Sequence, residues 1–264
     1  MLNLPQNPKW DIARVSHSTL VNADCFDVFP FIEDKSIDAI ICDLPYGTTA
    51  CKWDTIIPFD KLWKQYNRIL KPNGVVILFG NEPFSSVQRL SNIGKFKYDI
   101  IWIKDKPANF LQGKIRPLSY TEMISIFGNS NITYNAQMQP REAKNKRKNK
   151  LESSLLKCEF IGYNEKIDTY QDRLLSGTND FIYPRNYQFF SKRGKSNHPT
   201  EKPIDLMEWL IKTYTNENDM ILDNTMGSGT TNLACLKLNR KSIGIEKEKQ
   251  YYDVAVRRLS SYCG

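Results

Sequence analysis

The stretch Ile40–Asp54, IICDLPYGTTACKWD, brings an acid, a fixed turn and an aromatic face together at the end of an apolar run. Asp43 is acceptor-only when ionised, and its two oxygens can take several N–H bonds. Leu44 precedes Pro45, so its backbone is biased toward an extended geometry and its carbonyl stays out of any helix. Tyr46 adds a flat ring. A carboxylate and a carbonyl aimed at one point suit an exocyclic amine with two N–H donors, and the Tyr46 face suits stacking of the planar base that carries it. Taken singly, Asp43 reads as a helix cap, Pro45 as a turn and Tyr46 as a core aromatic. Their succession is what points to chemistry.

A second stretch, Met220–Glu246, has the outline of a nucleotide crevice. An apolar strand ends at Asp223, a Gly227-Ser228-Gly229 turn follows, then a helix, then a strand ending in Glu246. The glycines allow close backbone approach, and the second acid suits ribose hydroxyls. A dinucleotide site wants Gly or Ala three residues after the second glycine, but Asn232 stands there. An acid at the end of the first strand would also repel a pyrophosphate. A cationic sulfonium ligand with an amino-acid end tolerates that acid, so S-adenosylmethionine fits better than NAD.

Both acids need an α/β frame that ends its strands on one side. IDAIIC, VVILFG, YDIIWI, EMISIFG, DMILDN and KSIGIE read as strands. PFDKLWKQYNRIL, PIDLMEWLIKTYT, TTNLACLKLN and KQYYDVAVRRLSSY read as helices, the first closed by a KPNG turn. The alternation predicts a doubly wound, mainly parallel sheet, in which ligands lie outside the carboxyl ends of the strands. Asp43 and Asp223 should then face one crevice.

Between about residues 129 and 197 the α/β rhythm breaks. Arg141–Lys150 holds six basic residues and one acid, and Tyr-rich polar sequence follows. This predicts three parts: a half carrying the DLPY motif over 1–128, an inserted target-recognition region over 129–197, and a cofactor-binding half over 198–264. The 264 residues carry a formal net charge of +8, consistent with a polyanionic partner. Lys144, Arg147 and Lys148 are expected on a DNA backbone, although charge runs are often only solvated surface. Six cysteines without a CxxC pair, and histidines away from metal-ligand spacing, predict reduced thiols and no metal site. The start contains Asp11 and no long apolar run, and no run approaches the about 20 residues that span a membrane, so a cytoplasmic protein is expected.

DLPYG, HPTEKP at 198–203 and LDNTMGSGTT at 222–231 resemble the signature of DNA amino-methyltransferases, which methylate adenine N6 or cytosine N4. The catalytic motif precedes the cofactor motif, as in the permuted β group, and NGVVILFGNEPFSS, NFLQGKIRPLSYTEMISIFG and TYNAQM are similar to phage- and mobile-element-type members. The resemblance implies a Rossmann-like methyltransferase fold and places Asp43, Leu44, Pro45 and Tyr46 in the catalytic motif, with Leu44 where Pro is usual. It implies cofactor contacts from Asp24, Asp43, His198, Thr200, Lys202, Asp223, Thr225, Gly227, Ser228, Gly229, Thr230 and Glu246. Asp24 matches the acid near the adenine, Glu246 the ribose acid, and His198, Thr200 and Lys202 the segment over the methionine end. Asn224 and Met226 depart from the commoner Pro and aromatic, with consequences expected for packing more than chemistry.

An acid at the first motif position resembles adenine-N6 enzymes, whereas Ser there resembles cytosine-N4 enzymes; the physics of the site accepts either amine. The implied activity is site-specific methylation of a base flipped out of duplex DNA, with direct in-line transfer and no cysteine nucleophile. A homodimer and a cognate restriction endonuclease that is not a physical partner are further implications, in a bacterium or phage-infected host. RNA or protein-glutamine methylation and a catalytically idle DNA-binding relative are the rival readings.

Overall fold

The computed structural model describes residues 10–47, 54–140, 181–191 and 201–263. Its strands are β1 (Asp11–Val15), β2 (Ser18–Asn22), β3 (Ile37–Cys42), β4 (Leu70–Gly80), β5 (Phe96–Ile103), β6 (Thr121–Gly128), β7 (Gln139–Pro140), β8 (Phe181–Ile182), β9 (Tyr187–Phe189), β10 (Met220–Asp223) and β11 (Lys241–Glu246). The helices, numbered in chain order, are α1 (Cys25–Val28), α2 (Phe59–Ile69), α3 (Phe84–Leu90), α4 (Ile204–Tyr214), α5 (Thr230–Lys237) and α6 (Lys249–Cys263). The chain divides into two compact units, one of Met1–Asn135 with Asn186–Gly264, the other Ala136–Arg185. In the second, the described residues form the antiparallel β7–β8 ladder.

The first unit is built on a sheet of nine strands among the described residues, in the order β1-β2-β11-β10-β3-β4-β6-β5-β9. From β2 to β4 every neighbouring pair is parallel. β1 and β6 run antiparallel to their neighbours, so the sheet is mixed but mostly parallel, as the βαβ alternation predicts. β3 shows why its sequence makes a central strand. Ile37, Ile40 and Cys42 pack with α2 residues Leu62, Trp63, Tyr66 and Ile69 on one face. Ala39 and Ile41 pack with α4 residues Leu206, Leu210 and Ile211 on the other. A strand covered on both faces reads as a continuous apolar run. Each fully buried Leu or Ile contributes about 1.5–3 kcal/mol.

Two sequence expectations change. The KPNG turn is absorbed into β4: Ile37 pairs with Leu70 but Ala39 with Val75, so the extra residues bulge out of the strand instead of separating helix from strand. Pro72 sits in that bulge, exposed, where its missing N–H costs no ladder bond. The FSSVQRL stretch, given no element from sequence, forms α3, with Gln88 donating to the Phe79 carbonyl at the end of β4.

The bulky Asn232 at the third position of the glycine turn is accommodated from across the interface. Asn232 Nδ2 donates to Ser242 Oγ at 3.0 Å, and the room comes from Gly244 on β11, where an added Cβ would lie 2.7 Å from Asn232 Oδ1 and collide with Met226 Sδ. Gly244→Ala is therefore expected to destabilise the fold by about 1–3 kcal/mol. Denaturant unfolding should show a lower midpoint at unchanged slope.

Candidate functional site

The crevice follows from the strand order. β3 connects through α2 to β4 on one side, and β10 through α5 to β11 on the other. β3 and β10 are parallel neighbours, so the connections diverge between them and open a crevice at their carboxyl ends. Asp43 directly follows β3 and Asp223 ends β10. A cleft of about 1450 Å³ lies there, lined by both acids together with Tyr46, Asp24, Gly227 and Glu246.

At the β3 end, Asp43 sits in a buried ionic network. Lys202, just before α4, places Nζ 2.5 Å from Asp43 Oδ2 and 3.1 Å from Glu122 Oε1 on β6. Lys104, just past β5, places Nζ 2.5 Å from Glu122 Oε2. The Tyr46 hydroxyl donates to Asp43 Oδ1 at 2.6 Å and lies 3.1 Å from Glu122 Oε1. Two lysines thus balance two carboxylates, and three of these side chains are at most 14% exposed. Burial pushes the Asp43 carboxyl above the usual range, against the pull of Lys202. Burial would raise Glu122 too, but Lys202 and Lys104 outweigh it and hold that carboxyl at about 2. Burial would lower Lys202, yet Asp43 and Glu122 raise its ammonium above the ordinary value. The Tyr46 ring stacks on Phe84 at 4.9 Å and 28°, which fixes its plane at the cleft.

At the β10 end, the glycine turn is left-handed at Gly227 (φ 52°) and Gly229 (φ 76°). At Gly229 a Cβ would also lie 2.8 Å from Ala255 Cβ, so the turn requires glycine twice over. Glu246 braces the turn, accepting from Gly227 N at 2.9 Å and Glu248 N at 2.8 Å, while each oxygen retains a further lone pair. Asp223 accepts from the Thr231 hydroxyl at 2.5 Å and Thr225 N at 3.2 Å, and burial pushes its carboxyl up to about 7. Thr225 Oγ1 donates to the Asp43 carbonyl at 3.1 Å, a direct tie between the two motifs. Asp24 caps α1 through Phe26 N and pairs with Lys247 at 3.3 Å.

Four residues absent from the sequence-level site complete it. Arg258 of α6 donates to the Ser228 carbonyl and hydroxyl and pairs with Glu201 at 2.8 Å, which also accepts from Thr230. The TEKP segment is thereby fastened to the glycine turn, and this sets Lys202 on Asp43. Glu122 and Lys104 carry the one signal a sequence offers, charges abutting apolar strands. Arg258 and Glu201 carry none, because their partners are remote in the chain. Asn224 replaces the commoner Pro and accepts from Tyr66 Oη at 2.5 Å and Cys42 Sγ at 3.0 Å, while its Nδ2 is buried without a partner at the cleft wall. Met226 packs with Leu20, Tyr252 and Leu259. His198, Thr200, Lys144, Arg147 and Lys148 lie outside the described residues.

A family model for DNA methylases acting at N6 and N4 amines matches residues 37–257. The chain is 29% identical over 269 residues to the type II methyltransferase M2.LlaDCHI of Lactococcus lactis subsp. cremoris, covering 92% of this chain and 90% of that protein. The structure of the M1.HpyAVI–SAM complex superposes with a TM-score of 0.60 at 27% identity, over 91% of this chain and 99% of that one. The cytosine-N4-specific PvuII DNA methyltransferase, 14% identical at TM-score 0.64 over 94% and 93% of the two chains, shares the fold. The chain belongs to the DNA methylase family and is a site-specific, S-adenosylmethionine-dependent DNA methyltransferase. The cleft fits that cofactor: the glycine turn leaves space no side chain fills, Asp24 and Glu246 offer acceptors, and Asn224 Nδ2 is an unused donor.

The raised Asp223 carboxyl has a consequence for stability. Its value goes from the ordinary 3.8 to about 7, so between these pH values the folded state holds the extra proton and its advantage is lost as pH rises through about 7. Asp223→Asn should flatten this fall, narrowing the stability gap between pH 5 and pH 8 in chemical denaturation at the two pH values. An unchanged gap would show that Asp223 titrates normally.

Proposed function

We propose that this enzyme methylates adenine N6, that it belongs to the permuted β group, and that Asp43, Leu44, Pro45 and Tyr46 form its catalytic motif. The observation that carries the reading is Asp43 at the carboxyl end of β3, in the same cleft as Asp223 and Glu246 and beside a ring whose plane Phe84 fixes. The Asp43 strand precedes the Asp223 strand in the chain, in line with the permuted order. The acid at the head of the motif favours adenine over cytosine.

S-adenosylmethionine supplies a sulfonium-bound methyl. Asp24, Asp223, Gly227, Gly229 and Glu246 would hold its nucleoside and methionine parts, with Thr225, Ser228 and Thr230 shaping the turn and His198, Thr200 and Lys202 closing over it. Asp43 and the Leu44 carbonyl would accept both N–H bonds of the amine, favouring a tetrahedral nitrogen with its lone pair free. As positive charge builds on that nitrogen, a fixed carboxylate and carbonyl dipole stabilise it without reorganisation. The proton then leaves an acidic ammonium, so Asp43 need not be a strong base. Tyr46 would stack on the flipped base with the face that Phe84 does not occupy.

The duplex must lie over the cleft. Lys106, Lys114 and Arg116, all exposed between β5 and β6, suit its phosphates. We place further phosphate contacts at Lys144, Arg147 and Lys148 in a target-recognition region over 129–197, between a catalytic half (1–128) and a cofactor half (198–264). A cytoplasmic bacterial or phage-infected setting, a homodimer and a partner endonuclease remain parts of the same proposal.

Transfer of labelled methyl to unmethylated duplex DNA, and not to RNA or protein, tests this reading. Asp43→Ala should cut transfer by about 10²–10³-fold or more while leaving cofactor affinity near wild type, since Asp43 acts mainly on the amine. Near-normal turnover in that variant would sink the mechanism. Tyr46→Ala should weaken capture of the flipped base by about 1–3 kcal/mol, with Tyr46→Phe milder because the ring face remains.

A further inference from the structure

Both oxygens of the Asp43 carboxylate are engaged, Oδ1 by the Tyr46 hydroxyl at 2.6 Å and Oδ2 by the Lys202 ammonium at 2.5 Å. On the reading above, that carboxylate must accept from the target amine while positive charge develops on the amine nitrogen. An ammonium on the same carboxylate occupies an acceptor position and repels the developing charge. Lys202 therefore has to leave Asp43, yet it is buried and cannot simply move into water.

The structure holds a second place for it. Glu122 Oε1 lies 3.1 Å from Lys202 Nζ and 3.1 Å from the Tyr46 hydroxyl, so both donors on Asp43 already touch Glu122. A single hydroxyl proton serves one of the two carboxylates at a time. Lys104, 2.5 Å from Glu122 Oε2, keeps Glu122 ionised and ready. The move would leave net charge unchanged, because the network balances two ammoniums and two carboxylates in either arrangement.

We propose that Glu122 is the alternate seat of Lys202 and of the Tyr46 hydroxyl: they rest on Asp43 while the base pocket is empty and pass to Glu122 when a target amine docks. Glu122 is thus a positioning residue, and Lys104 holds it in the charged form. No bond is made or broken and no proton leaves the network. The proposal rests on the methyltransferase reading of Asp43, so the two must fail separately.

The test is single-turnover transfer of labelled methyl to unmethylated genomic DNA, with cofactor affinity measured by calorimetry. E122Q, which removes the alternate charge and leaves Lys202 on Asp43, should slow transfer about 10- to 100-fold with cofactor affinity within about twofold of wild type. E122Q/K202M should recover most of that loss, since the trapped ammonium is gone, whereas a merely structural Glu122 predicts a double variant as slow or slower. A wild-type rate in E122Q, or a double variant no faster than E122Q, overturns the proposal. If E122Q fails to unfold cooperatively on heating, K202M decides: a rate within about tenfold of wild type is expected, and a loss as complete as that of D43A overturns the proposal. A wild type that moves no label to DNA sinks the parent reading and this proposal with it; an active wild type indifferent to Glu122 sinks this proposal alone.

Discussion

The ionic pairing of Asp43 with Lys202 is the constraint around which the site is organised. A doubly wound sheet ends its strands on one side, and here two neighbouring strands lead into carboxylates at the same crevice. Buried acids without partners would take up protons or unfold the crevice. Lys202 and Lys104 prevent this around Asp43 and Glu122, and Arg258 and Glu201 fix the segment that delivers Lys202. Asp223 is handled differently, with a hydroxyl and a backbone N–H in place of a cation, and its carboxyl rises accordingly. Adjacent strands thus end in two acids of different character, one held by an ammonium and one held by neutral donors.

Much of this was legible in sequence. The strands that carry Asp43, Asp223 and Glu246 could be bounded because buried parallel strands are short apolar runs punctuated by polar turns, and IDAIIC and KSIGIE match β3 and β11 residue for residue. The KPNG segment misled because Pro and Gly signal a turn locally, while a bulge tolerates the same residues without ending the strand. α3 was missed because its seven residues include two serines and its position depends on packing beneath Phe79 rather than on helical period.

The ionic network was the least legible part. Glu122 reads as the polar start of a strand, and Lys104 as the polar end of another. Only the antiparallel pairing of β5 with β6, and the fastening of the TEKP segment by Arg258, bring them to Asp43. Such contacts join residues remote in sequence and leave no periodic trace. The reverse held at Asn232, whose departure from a glycine pattern counted against a dinucleotide ligand, while its compensation at Gly244 emerged only from the packing.

Family membership fixes DNA amino-methylation, and the acid at the head of the motif then distinguishes the amine. Mass spectrometry of nucleosides from unmethylated genomic DNA incubated with the enzyme and S-adenosylmethionine tests that central claim most directly. The account predicts N6-methyladenine and no gain in N4-methylcytosine. Accumulation of N4-methylcytosine without N6-methyladenine would contradict it.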